Sequence, residues 1–225
     1  MLLLALDTAT SAITAAVHDG ERLLAEDAVL DARRHTETLA PVIERVLGAA
    51  GAEPGDLTDI AVGVGPGPYT GLRVGLVTAR TLGFALGIPV HGVCSLDALA
   101  AEAAGITEGE LLVAADARRK EVYWARYVVT QGLAERVEGP EVVAPAQLPA
   151  RVRELPTAGR GPDLYPDLFA NPVAPHDVSA AILAEVALRQ LAEGRTQAPE
   201  PLYLRRPDAQ EPAIPKSTLV GGNRP

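Results

Sequence analysis

The sequence is short of cysteine, of aromatic residues and of positive charge. One cysteine, Cys94, in 225 residues excludes an internal disulfide and a thiolate metal cage, and suits a reducing compartment. Aromatics make up 4% of the chain while hydrophobic residues make up 48%, so the core must be built from Leu, Val, Ile and much Ala. Such a core favours close approach of elements over bulky filling. Lys and Arg number 20 against 29 Asp and Glu, a net charge of −9 that argues against a stand-alone nucleic-acid binder. No window approaches the roughly 18 apolar residues of a membrane span. The opening run to Leu6 has no Lys or Arg before it and is cut by Asp7, so it reads as a buried strand rather than a signal segment. These absences lead to the expectation of a soluble, cytoplasmic protein.

What is present divides the chain in two. Leu2 to Leu6, Ala12 to Val17 and Leu23 to Leu30, separated by turn residues, predict a three-stranded meander. From Thr36 the period changes: Leu39, Val42, Ile43, Val46, Leu47 and Ala50 predict a helix stopped by Gly51, with Thr38 as N-cap and Pro41 in the first turn. Ile60 to Val64, a helix over 72–86 ended by Gly87, and Ile88 to Val93 predict a parallel strand–helix–strand unit. Ser95 is expected to cap a helix reaching about Ala104. The pattern then restarts. Leu111 to Asp116 repeats Leu2 to Asp7, an apolar strand ending in aspartate, 109 residues later, and Glu121 to Val129 repeats the next strand. Prolines break up the chain after 138, residues 178–192 read as a helix, and the Pro-rich tail from Pro199 reads as extended or partly disordered. The expected organisation is a first lobe over 1–105, a shortened second lobe over 106–198 and a tail over 199–225.

Five features could carry function. Asp7, Thr8 and Thr10 form a strand-end turn of the kind that orients a metal, water or phosphate, or they make a plain Asx-type turn. Gly63 to Gly71, containing Gly65 and Gly67, lies between a strand and a helix, where an anion can bind. It fits neither the Walker nor the Rossmann spacing, and two prolines remove donors, so a stiff turn presenting Tyr69 is the better reading. Gly71, Gly75, Ala79 and Gly83 recur along one helix face, which calls for close approach either to a partner helix or to the protein's own sheet. Arg73 and Arg80 lie on another strip and could meet acidic groups of a partner. His35 has Leu39, not a second histidine, one turn on, so it reads as a capping or interface residue rather than a ligand. Arg118-Arg119-Lys120 is a basic turn that could touch phosphate but more simply ends a solvated hairpin.

Taken together, Leu4 to Ser11, His35-Thr36-Glu37, Gly63 to Arg73 and Ala114 to Tyr123, with weaker agreement at Pro201 to Arg205, resemble the bacterial TsaB family, also called YeaZ. The resemblance implies an α/β actin-like fold of two duplicated lobes, with mixed sheets flanked by helices. It implies a non-catalytic partner of TsaD in threonylcarbamoylation of the adenosine beside the anticodon, in tRNAs reading codons that begin with A. TsaD carries two metal-binding histidines four apart; Leu39 stands where the second would be, so no metal and no catalytic residue are expected here. An ATPase, TsaE, is the implied third member, ATP or ADP belongs to the complex, tRNA is met through the complex, and the chain is expected to pair with itself when alone. Pairing through the first lobe's helices would use His35, Leu39, Ile43, Tyr69, Leu72, Arg73, Gly75, Leu76, Ala79, Arg80 and Gly83. Asp7, Thr8, Thr10, Gly65, Gly67, Asp116 and Arg118 form the candidate nucleotide or anion site. The rival reading is a metal- or nucleotide-dependent hydrolase, either a small ATPase using Asp7 and Asp116 across a cleft or a glycoprotease-like enzyme.

Overall fold

A computed structural model describes residues 1–31 and 35–205. The first half runs β1 (Leu3–Asp7), β2 (Ala12–His18), β3 (Leu23–Leu30), α1 (His35–Ala50), β4 (Asp59–Gly63), α2 (Tyr69–Leu86), β5 (Val90–Val93) and α3 (Ser95–Ala103). The second runs β6 (Gly109–Asp116), β7 (Val122–Thr130), β8 (Leu133–Val143), α4 (Ala150–Arg153), β9 (Pro156–Ala158), α5 (Gly161–Leu164), β10 (Asn171–Pro172) and α6 (Ala180–Ala192). Each half forms one five-stranded sheet, ordered β3-β2-β1-β4-β5 and β8-β7-β6-β9-β10. In both, the strand ending in aspartate is central, antiparallel to the next strand and parallel to its other neighbour. The duplication seen in sequence is thus a duplication of topology, and the fold is the actin-like α/β arrangement.

Successive side chains of a strand face opposite ways, so a central strand must be apolar on both sides. Leu4 and Leu6 enter an outer core with α1 and α2, while Leu3 and Ala5 enter an inner core with α3, α6 and the second sheet. β6 repeats this, with Leu111, Val113 and Ala115 facing the inner core and Leu112 and Ala114 facing a third cluster around Trp124 and Phe169. α3 and α6 lie between the sheets, and their contact is largely alanine: Ala98, Ala100, Ala103, Ala180, Ala184 and Ala187 are all buried. The high alanine content therefore sets how closely the lobes approach. α6 follows the second sheet in sequence but packs under β1 and β2 of the first.

Several local expectations are corrected. α1 starts at His35, so Thr38 lies inside the helix and Pro41 well beyond the first turn. Glu37, whose carbonyl Pro41 cannot serve, lies with it on the exposed side of the helix, where the lost bond costs least. Cys94, not Ser95, occupies the cap position of α3, with no side-chain cap bond. β8 was not legible in sequence: it is an exposed edge strand with no apolar alternation and a Gly139–Pro140 bond inside it. The tail divides. Residues 199–205 have no helix or strand but are bonded to both lobes, and residues 206–225 lie outside the described residues.

Candidate functional site

The turn after β1 is spent on internal bonds. Asp7 is fully buried; its carboxylate accepts from the Ser95 hydroxyl at 2.6 Å and from the Ala9 amide at 2.7 Å. Burial pushes its pKa up to about 6 against the lowering effect of those two donors. Gly63 lies so close that a Cβ there would fall 1.8 Å from Asp7 Oδ2. The Thr8 hydroxyl donates to the Gly71 carbonyl at 2.7 Å and accepts from the Gly75 amide at 3.0 Å, pinning the first turns of α2. Asp7 and Thr8 are therefore fastenings between β1, α2 and α3, not ligands for phosphate.

The glycine-rich loop is closed in the same way. Gly65 has φ +89° and precedes a cis bond to Pro66; its amide donates to Ser95 Oγ at 3.2 Å, and its carbonyl accepts from the Ser95 amide at 2.8 Å. Gly67 lies against Ala9, with a Cβ position only 2.5 Å from the Ala9 carbonyl oxygen. Its own carbonyl accepts from Tyr123 Oη at 3.4 Å. The loop is the stiff turn presenting Tyr69.

Of the candidate anion residues, Thr10, Asp116 and Arg118 do come together, in a crevice between the lobes with Ser11, Pro68, Arg160, His176 and Asp177. Asp116 accepts from the Arg118 amide at 2.7 Å and pairs with its guanidinium at 3.1 Å. The free volume is about 10 Å³, the space of roughly one water, and two of the lining side chains, Arg160 and Asp177, are bonded to each other. Arg118, Arg119 and Lys120 are exposed and share positive φ, at 60°, 54° and 63°, so the hairpin tip is one left-handed turn.

The face proposed for pairing divides. Leu39, Ile43, Leu72, Gly75, Leu76, Ala79 and Gly83 point into the protein's own core and present nothing to a partner. The small residues serve the sheet: a Cβ on Gly83 would meet Val90 Cγ2 at 2.3 Å, and one on Gly75 would meet Thr8 Oγ1 at 2.5 Å. Tyr69, Arg73 and Arg80 are exposed as expected, but on the opposite side of α2, with Val77 at 62% and Phe84 at 92% exposure between and beyond them. The seven-residue spacing of Arg73 and Arg80 recurs in Val77 and Phe84, and was the signal available for this strip. Tyr203, from the tail, could not be foreseen: its ring stacks on Tyr69 at 5.4 Å and its hydroxyl accepts from Arg73 Nε at 3.0 Å. The Arg73 guanidinium lies 4.1 Å over the Tyr69 ring. Tyr69, Arg73 and Val77, with Thr36, Thr70, Val74 and Thr78, border an open cleft of about 440 Å³.

Leu39 is 1% exposed and packs in the outer apolar core. His35 opens α1, and its side chain lies outside the described residues. Among the described residues no three His, Cys, Asp or Glu gather as a metal site. Cys94 is buried and its thiol pushed up to about 12 by desolvation, which removes it as nucleophile or ligand. No helix among the described residues is long and apolar enough to cross a membrane.

A family model described as TsaD, tRNA N6-adenosine threonylcarbamoyltransferase, matches residues 29–157. An uncharacterised protein of Mycobacterium tuberculosis is 47% identical over 219 residues, covering 94% of this chain and 95% of its own. The tRNA threonylcarbamoyladenosine biosynthesis protein TsaB of Escherichia coli is 33% identical over 222 residues, covering 91% and 95%. The solved structure of YeaZ from Pseudomonas aeruginosa superposes with a TM-score of 0.78 at 30% identity, over 90% of this chain and 99% of that one. With a family model over more than half its length and named relatives matched nearly end to end, this chain belongs to the TsaB (YeaZ) family.

Proposed function

We propose that this chain is the non-catalytic partner of a TsaD-like subunit, required for threonylcarbamoylation of the adenosine next to the anticodon in tRNAs reading codons that begin with A. The observation that carries the reading is the outer strip of α2. Tyr69, Val77 and Phe84 stand in solvent beside Arg73 and Arg80, an arrangement of aromatic and apolar anchors with arginines that suits a protein interface. The E. coli relative's name supplies the reaction. The hydrolase reading fares worse, since Asp7, one of the two aspartates its ATPase form would use, is fully buried with its carboxylate bonded to Ser95 and Ala9.

On this proposal the strip docks on the TsaD-like subunit, and two copies of this chain pair through it when that subunit is absent. ATP or ADP is then handled by the assembly with TsaD-like and TsaE-like subunits, tRNA is met through that assembly, and the protein works in the cytoplasm. Phe84→Asp and Val77→Asp test it. Each is expected to leave the fold intact, to weaken co-elution with the TsaD-like subunit by about 2 kcal/mol or more, and to abolish tRNA modification in the reconstituted system. Undiminished complex formation and modification with both changes in place overturns the reading.

A further inference from the structure

At the junction between the lobes, donors from both halves converge on the carboxylate of Asp177. From the first lobe, the Ser11 amide donates to Asp177 Oδ1 at 3.1 Å. From the second, Arg160 Nε donates to Oδ1 at 2.9 Å and to Oδ2 at 3.0 Å, and Nη2 donates to Oδ2 at 2.5 Å. A guanidinium fork and a backbone N–H converging on two oxygens is a donor set that matches an oxyanion. Arg118 and His176 line the same crevice. Its occupant is the chain's own carboxylate, 11% exposed.

Asp177 is held there from both sides. The Gly159 amide donates to the Pro175 carbonyl at 2.7 Å, tying the approach to the second lobe. Beyond it, the Val178 amide donates to Thr10 Oγ1 at 3.4 Å, the Ala180 amide to Thr14 Oγ1 at 3.2 Å, and the Ser179 hydroxyl to the Glu26 carboxylate at 2.7 Å. Those bonds fix the entry of α6 on β2 and β3. The carboxylate is the point at which donors of one lobe meet donors of the other.

The geometry points to a self-liganded anion site: Asp177 supplies from within the chain the oxyanion that both lobes are built to hold, and so keeps them closed with no bound ligand. The ligand class of the latent site is a small oxyanion, carboxylate or phosphate. The inference is independent of the partner role, since it concerns the isolated chain.

The test is chemical rescue. Asp177→Ala in the full chain is expected to melt at lower temperature and to exchange the Ser11 amide hydrogen about tenfold faster or more, having lost a bond to a charged acceptor. Sodium formate or inorganic phosphate at millimolar concentration restores both readouts saturably, sodium chloride at equal ionic strength restores neither, and the wild-type chain responds to none of them. Adding Arg160→Ala removes the rescue. Should Asp177→Ala fail to fold, Asp177→Asn can keep the Ser11 bond through its amide oxygen but loses the charge that faces the Arg160 fork, and is expected to melt at lower temperature than wild type with no rescue by either anion, since its side chain still fills the site. The proposal is overturned by formate and phosphate doing no more than chloride, by wild-type chain binding either anion as tightly as the variant does, or by Asp177→Asn melting at the wild-type temperature.

Discussion

Asp7 has no exposed surface, and its pKa of about 6 stands above the ordinary 3.8 because burial outweighs the Ser95 and Ala9 hydrogen bonds. The folded state therefore binds this proton more tightly than the unfolded state. The group's contribution to stability is best below about pH 4, falls as pH rises toward 6, and reaches its full cost, on the order of 3 kcal/mol, above that. Asp7→Asn can keep the bond from the Ala9 amide while removing the charge. It is expected to be more stable than wild type at pH 7 and to lose the advantage at pH 4, measured by urea midpoints at the two values. Parallel wild-type and variant profiles would show that the buried carboxylate is not the source. The sequence made Asp7 visible as a strand-end acid; only the approach of Gly63 and Ser95, 56 and 88 residues away, shows it to be a fastening.

At the scale of the element, two helical glycines are expected to respond in opposite directions. Gly48 in α1 has open space around it, so Gly48→Ala gains helix propensity and raises stability by about 0.5–1 kcal/mol. Gly83 in α2 sits on Val90 and the Ile88 carbonyl; Gly83→Ala gains the same propensity but overpacks, and a net loss of about 1–2 kcal/mol is expected in denaturant melts. Ala79, fully buried in the same face, makes Ala79→Arg a test of folding rather than of docking. The small-residue stripe was legible as a demand for close approach. Which surface met the demand was not, because a four-residue period specifies a face of a helix and says nothing of what lies beneath it. α2 laid that face on its own sheet, which left Tyr69, Arg73, Val77, Arg80 and Phe84 exposed on the other side.

At the scale of the whole molecule, the segment 197–205 belts the lobes together. The Gly92 amide donates to the Gln197 carbonyl and the Leu202 amide to the Val64 carbonyl, each at 2.8 Å, along the first lobe. Tyr203 then stacks on Tyr69, and Arg205 reaches Glu121 and the Ala117 carbonyl of the second lobe. Ending the chain at Ala198 is expected to lower the melting temperature and to weaken docking of a TsaD-like subunit, since Arg73 and Tyr69 lose the group that orients them. Tyr203→Ala, which keeps the backbone bonds, separates the two effects: docking weakens while the melting temperature changes little. Equal docking by wild type and both variants in a calorimetric titration would exclude the tail from the interface.

The sequence by itself determined the repeated unit: an apolar strand ending in aspartate, a turn and a second strand, twice over, with alanine in place of aromatic bulk. These are matters of local period and of which residues can be buried, and they carry the two-lobed fold and the family. Tertiary structure alone decided the use of the polar residues. Whether a strand-end aspartate, a glycine loop or a tyrosine in a Pro-rich tail faces solvent, a ligand or another part of the chain depends on groups far away in sequence, and here those distant groups are Ser95 for Asp7, Ala9 for Gly67, Ser11 and Arg160 for Asp177, and Arg73 for Tyr203.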